Sequence, residues 1–317
     1  MRKEIILSLE SPFRDTFRVH GYYFGEGEKT IAIVGSMRGD EIQQQYICSQ
    51  LVKQLTKLEA KGKLIKGHQI LVIPSVNPFS MNLEKRFWGM DNTDINRMFP
   101  GYDQGETTQR IAAGLFEAIK GYKYGIQLAS FYKPGDFIPH VRLLETGYED
   151  LEVAGLFGLP YICLKTPLPF DTAVLNYNWQ IWETKAFSLY AGQNNSVADE
   201  ASVQMVEAIL RFMQRTHTIK QSQHTKQPDY NSMIVKDNEI SFIKAPTAGI
   251  FVKHKSAGAE VLAGDVLADI IDPYEGTVLA KIESPSDGIV FFTHNKPLVL
   301  QNTHIFKIIT DDDDDDE

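Results

Sequence analysis

The stretch Thr30-Ile31-Ala32-Ile33-Val34-Gly35 indicates the fold of this chain. Its unbroken apolar run is typical of a strand that is buried on both faces of a sheet. The polar turn Ser36-Met37-Arg38-Gly39-Asp40-Glu41 follows, and residues 42–60 then place apolar side chains at helical spacing without an interior proline or glycine. Strand, turn and helix in this order predict a parallel α/β sheet with the polar turn at the carboxyl end of a strand.

The same alternation continues to residue 215. Further buried strands are predicted at 69–73, 124–130 and 186–190, and further helices at 107–120 and from Ser196 or Asp199 to Arg215. We therefore predict an α/β domain over residues 1–215, with a mixed, mostly parallel sheet and helices on both faces. Ligand sites in such sheets lie outside the carboxyl ends of the strands, so the polar residues there should share one crevice.

The rest of the chain has a different pattern. A polar linker is predicted at 216–238, followed at 239–310 by short β-runs in which Lys244-Ala245-Pro246-Thr247-Ala248-Gly249 is echoed by Glu283-Ser284-Pro285-Ser286-Asp287-Gly288. This part resembles the flattened β-barrel of biotinyl and lipoyl carrier domains. The hairpin at 272–278 lacks the lysine that a carrier modifies, so we predict a structural barrel-sandwich domain.

Composition restricts the class of protein. Hydrophobic residues make up 43% of the 317 residues and no apolar run could span a bilayer, so we predict a cytoplasmic protein without a membrane partner. The net charge of −9 argues against nucleic acid, although most of it comes from residues 311–317, which are predicted to be a disordered acidic tail. Cys48 and Cys163 lie in apolar surroundings and are predicted to be buried thiols. The sequence is compatible with a homo-oligomer and does not decide the oligomeric state.

Several motifs appear in a fixed order: Asn77-Pro78, Arg86-Phe87 and Asp94-Ile95-Asn96-Arg97-Met98-Phe99-Pro100-Gly101. With the turn at 36–41, they resemble the succinylglutamate desuccinylase/aspartoacylase family of zinc-carboxypeptidase-like hydrolases. The resemblance covers nearly the whole chain and implies a zinc-carboxypeptidase-like α/β domain. That family binds zinc through two histidines and a glutamate, and a later glutamate acts as the general base.

The resemblance also implies that the zinc site is degenerate in this chain. Arg38 stands at the first zinc histidine, Ala129 at the second, and Gln127 at the aspartate beside it. Glu41 is retained, whereas Leu189 stands at the general base. Catalytic zinc needs about three protein ligands, so we expect no metal cofactor, although zinc is the cofactor of the family. We predict instead that the Arg38 guanidinium pairs with Glu41.

The family's substrate-binding residues are present. By resemblance, Asn96 and Arg97 would hold a substrate carboxylate and Arg86 would stabilise an oxyanion, and guanidinium groups suit both roles. A structural ion pair between Asp94 and Arg97 is the alternative. His140 is the best remaining candidate for a substrate-binding residue or a replacement metal ligand, although a lone histidine more often forms part of a pocket wall. Six aromatic residues are predicted to pack in the core or a lid, with a ligand platform as the alternative: Phe87, Trp88, Phe131, Tyr132, Trp179 and Trp182.

Two functional hypotheses follow. The first is a family member that lost both zinc histidines and the general base and binds a carboxylate-bearing ligand, such as an N-acyl amino acid or a peptide-like molecule, without zinc hydrolysis. The alternative is a hydrolase that cleaves an amide or ester bond of an N-acyl amino acid at a non-standard metal site. A weaker third hypothesis is a structural subunit that assembles through its β domain.

Overall fold

The computed structural model describes residues 1–194, 197, 199–220 and 231–310, and the chain divides into two compact units. The first unit contains Met1–Ser130, Pro139–Tyr190 and the described residues of 194–233. The second contains Phe131–Ile138, Ala191–Gln193 and the described residues from 234 onward.

The second unit includes two short segments that the sequence analysis placed in the first domain. Phe137 lies opposite Phe292 in a strand pair, and the side-chain amide of Asn295 donates to Gln193 at 2.7 Å. Pairing between residues that are far apart in the chain produces no local sequence pattern from which it could be predicted. The domain boundaries at 215 and 239 stay a prediction, and the acidic tail and linker residues 221–230 lie outside the described residues.

Strands and helices alternate over most of the first 215 residues. The strands are β1 (Arg2–Leu9), β2 (Phe17–Phe24), β3 (Gly27–Ser36), β4 (Gly67–Ser75), β5 (Tyr124–Leu128), β6 (Gly135–Leu144), β7 (Tyr161–Lys165) and β8 (Lys185–Gly192). The helices are α1 (Ile42–Ala60), α2 (Pro78–Met81), α3 (Thr107–Ile119), α4 (Leu151–Gly155), α5 (Leu175–Ile181) and α6 (Asp199–Arg215). Short 3-10 turns lie at Ile95–Arg97 and Pro169–Ala173.

The central sheet of the first unit has the strand order β1-β2-β4-β3-β5-β8. The pairs β4-β3, β3-β5 and β5-β8 are parallel, which confirms a mixed α/β fold with a parallel centre. β1 and β2 extend the sheet with antiparallel pairs and were not predicted. Their sequences mix exposed charged and buried apolar residues, because they lie toward the edge of the sheet.

Most predicted elements of the first unit begin and end within two residues of the bounds that the sequence indicated. α1 matches the predicted helix 42–60, and its buried face contains Ile47, Cys48, Leu51 and Leu55. α3 and β5 end one and two residues before their predicted ends, and α6 begins at Asp199, whereas Ser196 lies outside the described residues. Both cysteines are free and buried, as predicted.

β4 continues through Pro74 to Ser75, so the predicted strand end at residue 73 was wrong. Proline has no N–H to donate to a neighbouring strand. β2 pairs with β4 from Ile70 to Val72, so this ladder needs no donor at Pro74. The parallel ladder with β3 resumes beyond the proline, where Ser75 lies opposite Ser36.

The parallel strands bring the carboxyl ends of three segments to one edge. Val34 of β3 lies opposite Gln127 of β5, and Leu128 of β5 lies opposite Leu189 of β8. The turn after β3, the end of β5 and the end of β8 are therefore neighbours. This arrangement confirms that the polar residues after these strands approach one another.

The second unit contains nine strands or parts of strands besides the start of β6. They are β9 (Met233–Lys236, from Ile234), β10 (Ile240–Lys244), β11 (Gly249–Lys253), β12 (Glu260–Val261), β13 (Val266–Ile271), β14 (Val278–Glu283), β15 (Gly288–His294), β16 (Leu298–Val299) and β17 (His304–Thr310). β14-β13-β11-β16 form one sheet, and β15-β17-β10 form part of another. A buried apolar cluster that includes Phe251, Ile270 and Phe306 forms the core of this unit.

The internal repeat corresponds to equivalent strand starts. Gly249 begins β11 and Gly288 begins β15, and each follows a turn that contains a proline. The segment 272–277 closes the β13-β14 hairpin, in which the Asp272 N–H donates to the Thr277 carbonyl at 2.8 Å. No helix in the described residues combines the length and apolar character needed to cross a membrane.

We predict that His294 makes the protein sensitive to acid. His294 is 3% exposed, and its pKa is lowered below 6.5 by burial, with smaller contributions from Lys296 and Lys133. Below pH 6.5 the unfolded chain takes up a proton that the folded chain excludes, so acid favours unfolding. The free energy of unfolding should fall between about pH 7 and pH 5, and His294→Phe should reduce this fall.

Urea unfolding at a series of pH values measures the effect. His254→Phe is the matched control, because His254 lies in the same unit but is exposed and hydrogen-bonded to Asp269. An unchanged pH slope in the folded His294→Phe variant would contradict the prediction.

Candidate functional site

Arg38 lies just beyond β3, and its guanidinium group sits between two carboxylates. Its Nη1 is 3.1 Å from Glu41 Oε1, and its Nη2 is 2.9 Å from Asp94 Oδ2. Its Nε also donates to Asp94 Oδ1 at 3.1 Å, so the contact with Asp94 uses two nitrogens of the fork. The side chain is 9% exposed. The structure confirms the predicted Arg38–Glu41 pair and adds Asp94, which the sequence had offered as a partner of Arg97.

Both oxygens of the Glu41 carboxylate accept hydrogen bonds inside the protein. Oε2 accepts from the backbone N–H groups of Met37 and Arg38 at 2.8 and 3.0 Å. Oε1 accepts from Arg38 and from the Ser130 hydroxyl. Glu41 is 1% exposed, so these bonds replace the hydration that the charged group loses on folding. Sequence reasoning missed Ser130, whose only signal is its place at the end of a predicted strand.

Arg38 keeps its charge in this buried position. Burial alone lowers its pKa, but the charges and hydrogen bonds of Glu41 and Asp94 outweigh burial and raise the pKa above its ordinary value. A buried guanidinium is stable only with such partners. The three side chains therefore form a buried charge cluster in which one cation lies between two acids.

The residues at this position do not fit a zinc ion. The one retained ligand, Glu41, is already held by a guanidinium group, which repels a divalent cation. Ala129, at the position predicted for the second histidine, is 7% exposed, and Leu189, at the position predicted for the general base, is 1% exposed; neither side chain can bind a metal. Within the described residues, no group of three or more His, Cys, Asp and Glu side chains is placed to hold a metal.

Ala129 and Leu189 lie beside each other at the edge that Glu41 occupies. The Ala129 N–H donates to the Leu189 carbonyl at 2.9 Å, and the next residue, Ser130, donates to Glu41. The Ala129 carbonyl accepts from the Gln44 side chain at 3.1 Å. Ala129 and Leu189, which the family resemblance placed in one site, are therefore neighbours in space.

Arg86 pairs with a carboxylate of the protein itself. Its Nη1 is 2.8 Å from Asp40 Oδ2 and 3.1 Å from Asp40 Oδ1, and its Nη2 donates to Ser130 at 3.3 Å. The side chain is 18% exposed. An incoming carboxylate or oxyanion would compete with Asp40 for this guanidinium. The predicted oxyanion role of Arg86 stays a prediction.

Asn96 belongs to a buried chain of amide groups. Its Oδ1 accepts from Gln127 Nε2 and from the Leu175 N–H, both at 3.3 Å. Asn176 continues the chain by donating to Gln127 Oε1 at 3.2 Å and to the Ser188 hydroxyl. Gln127 therefore orients Asn96. The role of Asn96 in ligand binding stays a prediction.

Arg97 is more accessible than the other site cations. Its side chain is 38% exposed, its Nη1 donates to the Phe170 carbonyl at 2.6 Å, and it lies 3.6 Å from Asp171. Lys165 also pairs with Asp171, at 2.6 Å. Two cations thus share one carboxylate beside the exposed ring of Phe170, which leaves one uncompensated positive charge.

His140 is completely buried on β6. Its ring stacks on Tyr190 with centroids 5.1 Å apart and planes 4° apart, and its Nε2 lies 3.3 Å from Arg142. The Arg142 guanidinium also lies over the Tyr190 ring. The histidine has no exposed surface in this conformation. Its assignment to substrate binding stays a prediction.

Comparison with known proteins identifies the family. The family model described as the succinylglutamate desuccinylase/aspartoacylase catalytic domain matches residues 27–215, which is more than half of the chain. The chain belongs to this family. The matched range contains the Arg38 cluster, the amide chain and Arg97, so the family relationship applies directly to the site.

Several relatives agree with this assignment. An N-alpha-acetyl-L-2,4-diaminobutyric acid deacetylase from Halomonas elongata is 28% identical over 160 residues, which cover 47% of this chain and 45% of the relative's length. A Rhodobacter sphaeroides succinylglutamate desuccinylase/aspartoacylase structure has a TM-score of 0.77 at 20% identity, over 92% of this chain and 89% of its own. The product-bound ectoine utilization protein EutE (DoeB) from Ruegeria pomeroyi has a TM-score of 0.79 at 18% identity, over 95% and 93%. The structures establish a shared fold, and the family is one of hydrolase-type deacylases.

We predict that Arg38→Met destabilises the protein by about 3–5 kcal/mol, because it leaves the buried Glu41 carboxylate and the half-buried Asp94 carboxylate without their cation. Chemical unfolding monitored by circular dichroism measures this change. Arg2→Met is the matched control, since Arg2 pairs with Glu4 at the surface and should cost at most about 1 kcal/mol. Equal effects of the two substitutions would contradict a buried Arg38 charge cluster.

Proposed function

We propose that this family member binds a carboxylate-bearing ligand and does not carry out zinc-dependent hydrolysis. The observation that carries this proposal is the Arg38 guanidinium, which holds Glu41 from within 3.1 Å. A zinc ion at Glu41 would have to displace the guanidinium and leave a charge buried without its partners. The loss of both histidines removes the ligands that could offset this cost.

The position of the general base supports the same proposal. Leu189 has no group that can accept a proton, and it is 1% exposed. General acid–base catalysis requires a titratable group within hydrogen-bonding reach of the reacting water or substrate. The nearby polar side chains Gln127, Asn176 and Ser188 hydrogen-bond to one another and are not bases at neutral pH.

Arg97 is the best candidate for the ligand carboxylate. It combines 38% exposure with an uncompensated positive charge, because Arg97 and Lys165 share Asp171. The exposed ring of Phe170 lies against both cations and offers an apolar surface for the rest of the ligand. Arg86 is a weaker candidate, since Asp40 already holds it through two contacts. These contacts favour an N-acyl amino acid or a peptide-like molecule, with the carboxylate at Arg97.

We further propose that the second unit is a barrel-sandwich domain without a carrier function. The repeated turns that precede Gly249 and Gly288 support this fold, as does the β13-β14 hairpin. Tyr274 lies at the hairpin tip and is 96% exposed, and residues 272–278 include no lysine for a cofactor. A cytoplasmic location stays a prediction.

We predict that the native protein carries no stoichiometric zinc and that Arg38→His combined with Ala129→His creates zinc binding. The two imidazoles would join Glu41 to supply three ligands. Elemental analysis measures the zinc content of the native protein and of the double variant, both purified without chelator. The control is Arg38→Gln with Ala129→Asn, whose side chains are similar in size to those of the double-histidine variant. Stoichiometric zinc in the native protein that is lost in Glu41→Gln would favour the hydrolase alternative. A folded double-histidine variant without zinc would contradict the placement of these residues.

We predict that N-acetyl-L-aspartate binds without being cleaved and that Arg97→Met weakens its binding about tenfold, because a charge-assisted contact is lost. Calorimetry measures binding and an amine-release assay measures cleavage. Arg14→Met, at an exposed position away from the motifs, should have no effect. Equal affinity for the corresponding diamide, or release of aspartate, would overturn the proposal.

A further inference from the structure

The first unit contains a cavity that the proposed ligand site does not use. Its volume is about 570 Å³, which is within the range of small-molecule sites. Its walls come from the loop that follows the 94–101 motif, from one face of α3 and from the residue that follows α5. None of Arg38, Glu41, Arg86 and Arg97 lines it.

One wall of the cavity is fixed to α3. Gly101 has a φ of +93°, and a Cβ placed on it would lie 2.1 Å from the Ala113 backbone nitrogen. Only glycine permits so close an approach in this conformation. The Tyr102 N–H donates to the Gln109 carbonyl at 3.2 Å, which anchors the next residue. The loop therefore holds Tyr102 in a defined place at the cavity wall.

Two exposed aromatic side chains line the cavity. Tyr102 is 57% exposed and Trp182 is 52% exposed. Phe116, which is 4% exposed, supports Trp182 from below in an edge-on contact with ring centroids 5.3 Å apart. The sequence had predicted core or lid packing for Trp182, and the structure leaves half of its surface accessible. Exposed aromatic surface at a concave site is typical of ligand-binding positions.

The charges around the cavity favour a cation. Lys120 is neutralised by Glu117, with its Nζ at 2.5 Å from the carboxylate. Asp103 also lines the cavity, and no ion pair or hydrogen bond joins its carboxylate to another described residue. One negative charge is therefore left uncompensated beside the two aromatic rings.

We propose that this cavity binds a small organic ammonium cation, held between Tyr102 and Trp182 and paired with Asp103. Aromatic faces attract alkylammonium groups through the ring quadrupole, and a nearby carboxylate adds a direct charge interaction. An anionic ligand would be repelled by Asp103, whereas a neutral one would gain nothing from it. The charge on Asp103 therefore distinguishes a cation site from a merely apolar cavity.

Titration with choline tests the proposal. Trp88 and Trp179 are 4% and 0% exposed, so a ligand-dependent change in tryptophan fluorescence reports mainly on Trp182. Choline should produce a saturable change, and 3,3-dimethylbutan-1-ol, its uncharged analogue of the same shape, should bind several times more weakly. Asp103→Asn should weaken choline binding about threefold to tenfold. Asp15→Asn, at another exposed acid, should leave it unchanged.

Calorimetry with Trp182→Leu checks the aromatic contribution without relying on fluorescence, and choline binding should be lost in this variant. Circular dichroism confirms that each variant is folded. Three results would overturn the proposal: equal affinity for choline and the alcohol, unchanged choline affinity in Asp103→Asn, or no saturable binding of choline to the native protein by either method.

Discussion

The arrangement at the carboxyl edge of the first-unit sheet depends on the buried charge of Arg38. Without a cation between them, the neighbouring carboxylates of Glu41 and Asp94 would repel each other. The guanidinium between Glu41 and Asp94 replaces this repulsion with attraction. Its planar fork can contact both acids at once, which the single ammonium of a lysine does less well. Glu41 immediately precedes α1, and Asp94 immediately precedes the 3-10 turn Ile95–Arg97. Arg38 therefore joins distant parts of the chain.

The same charge is also the main observation behind the proposed absence of zinc at this site. Zinc and a guanidinium are both cations that would bind the same carboxylate and repel each other, so Glu41 cannot hold both at once. Arg86 is likewise engaged with Asp40, which lies in the same turn as Arg38. Among these described groups, positive charge is in excess only toward Arg97 and Lys165, which supports the anionic ligand proposed for this position.

The sequence was sufficient wherever local pattern and family motif agreed. The bounds of α1 follow from uninterrupted helical spacing, and the Arg38–Glu41 contact follows from two residues three apart in one turn. Asp94 could not be assigned to Arg38, because 56 residues separate them and Arg97 was a nearer candidate. The only sequence feature of Ser130 was its place at the end of a predicted strand, and a serine at a strand end is too common to predict a site residue. The strand pairing of residues 135–137 with β15 could not be predicted from local sequence either.

The segment 94–101 links the Arg38 cluster, the buried amide chain and Arg97. Asp94 accepts from the Asn96 N–H and holds Arg38, so the start of the turn is fixed by the charge cluster. Asn96 then points into the buried amide chain, which leaves Arg97 directed toward Phe170. At the other end, Gly101 packs on α3. A segment held at both ends by contacts of different kinds keeps Arg97 in place, because its geometry is set by buried polar contacts and backbone packing.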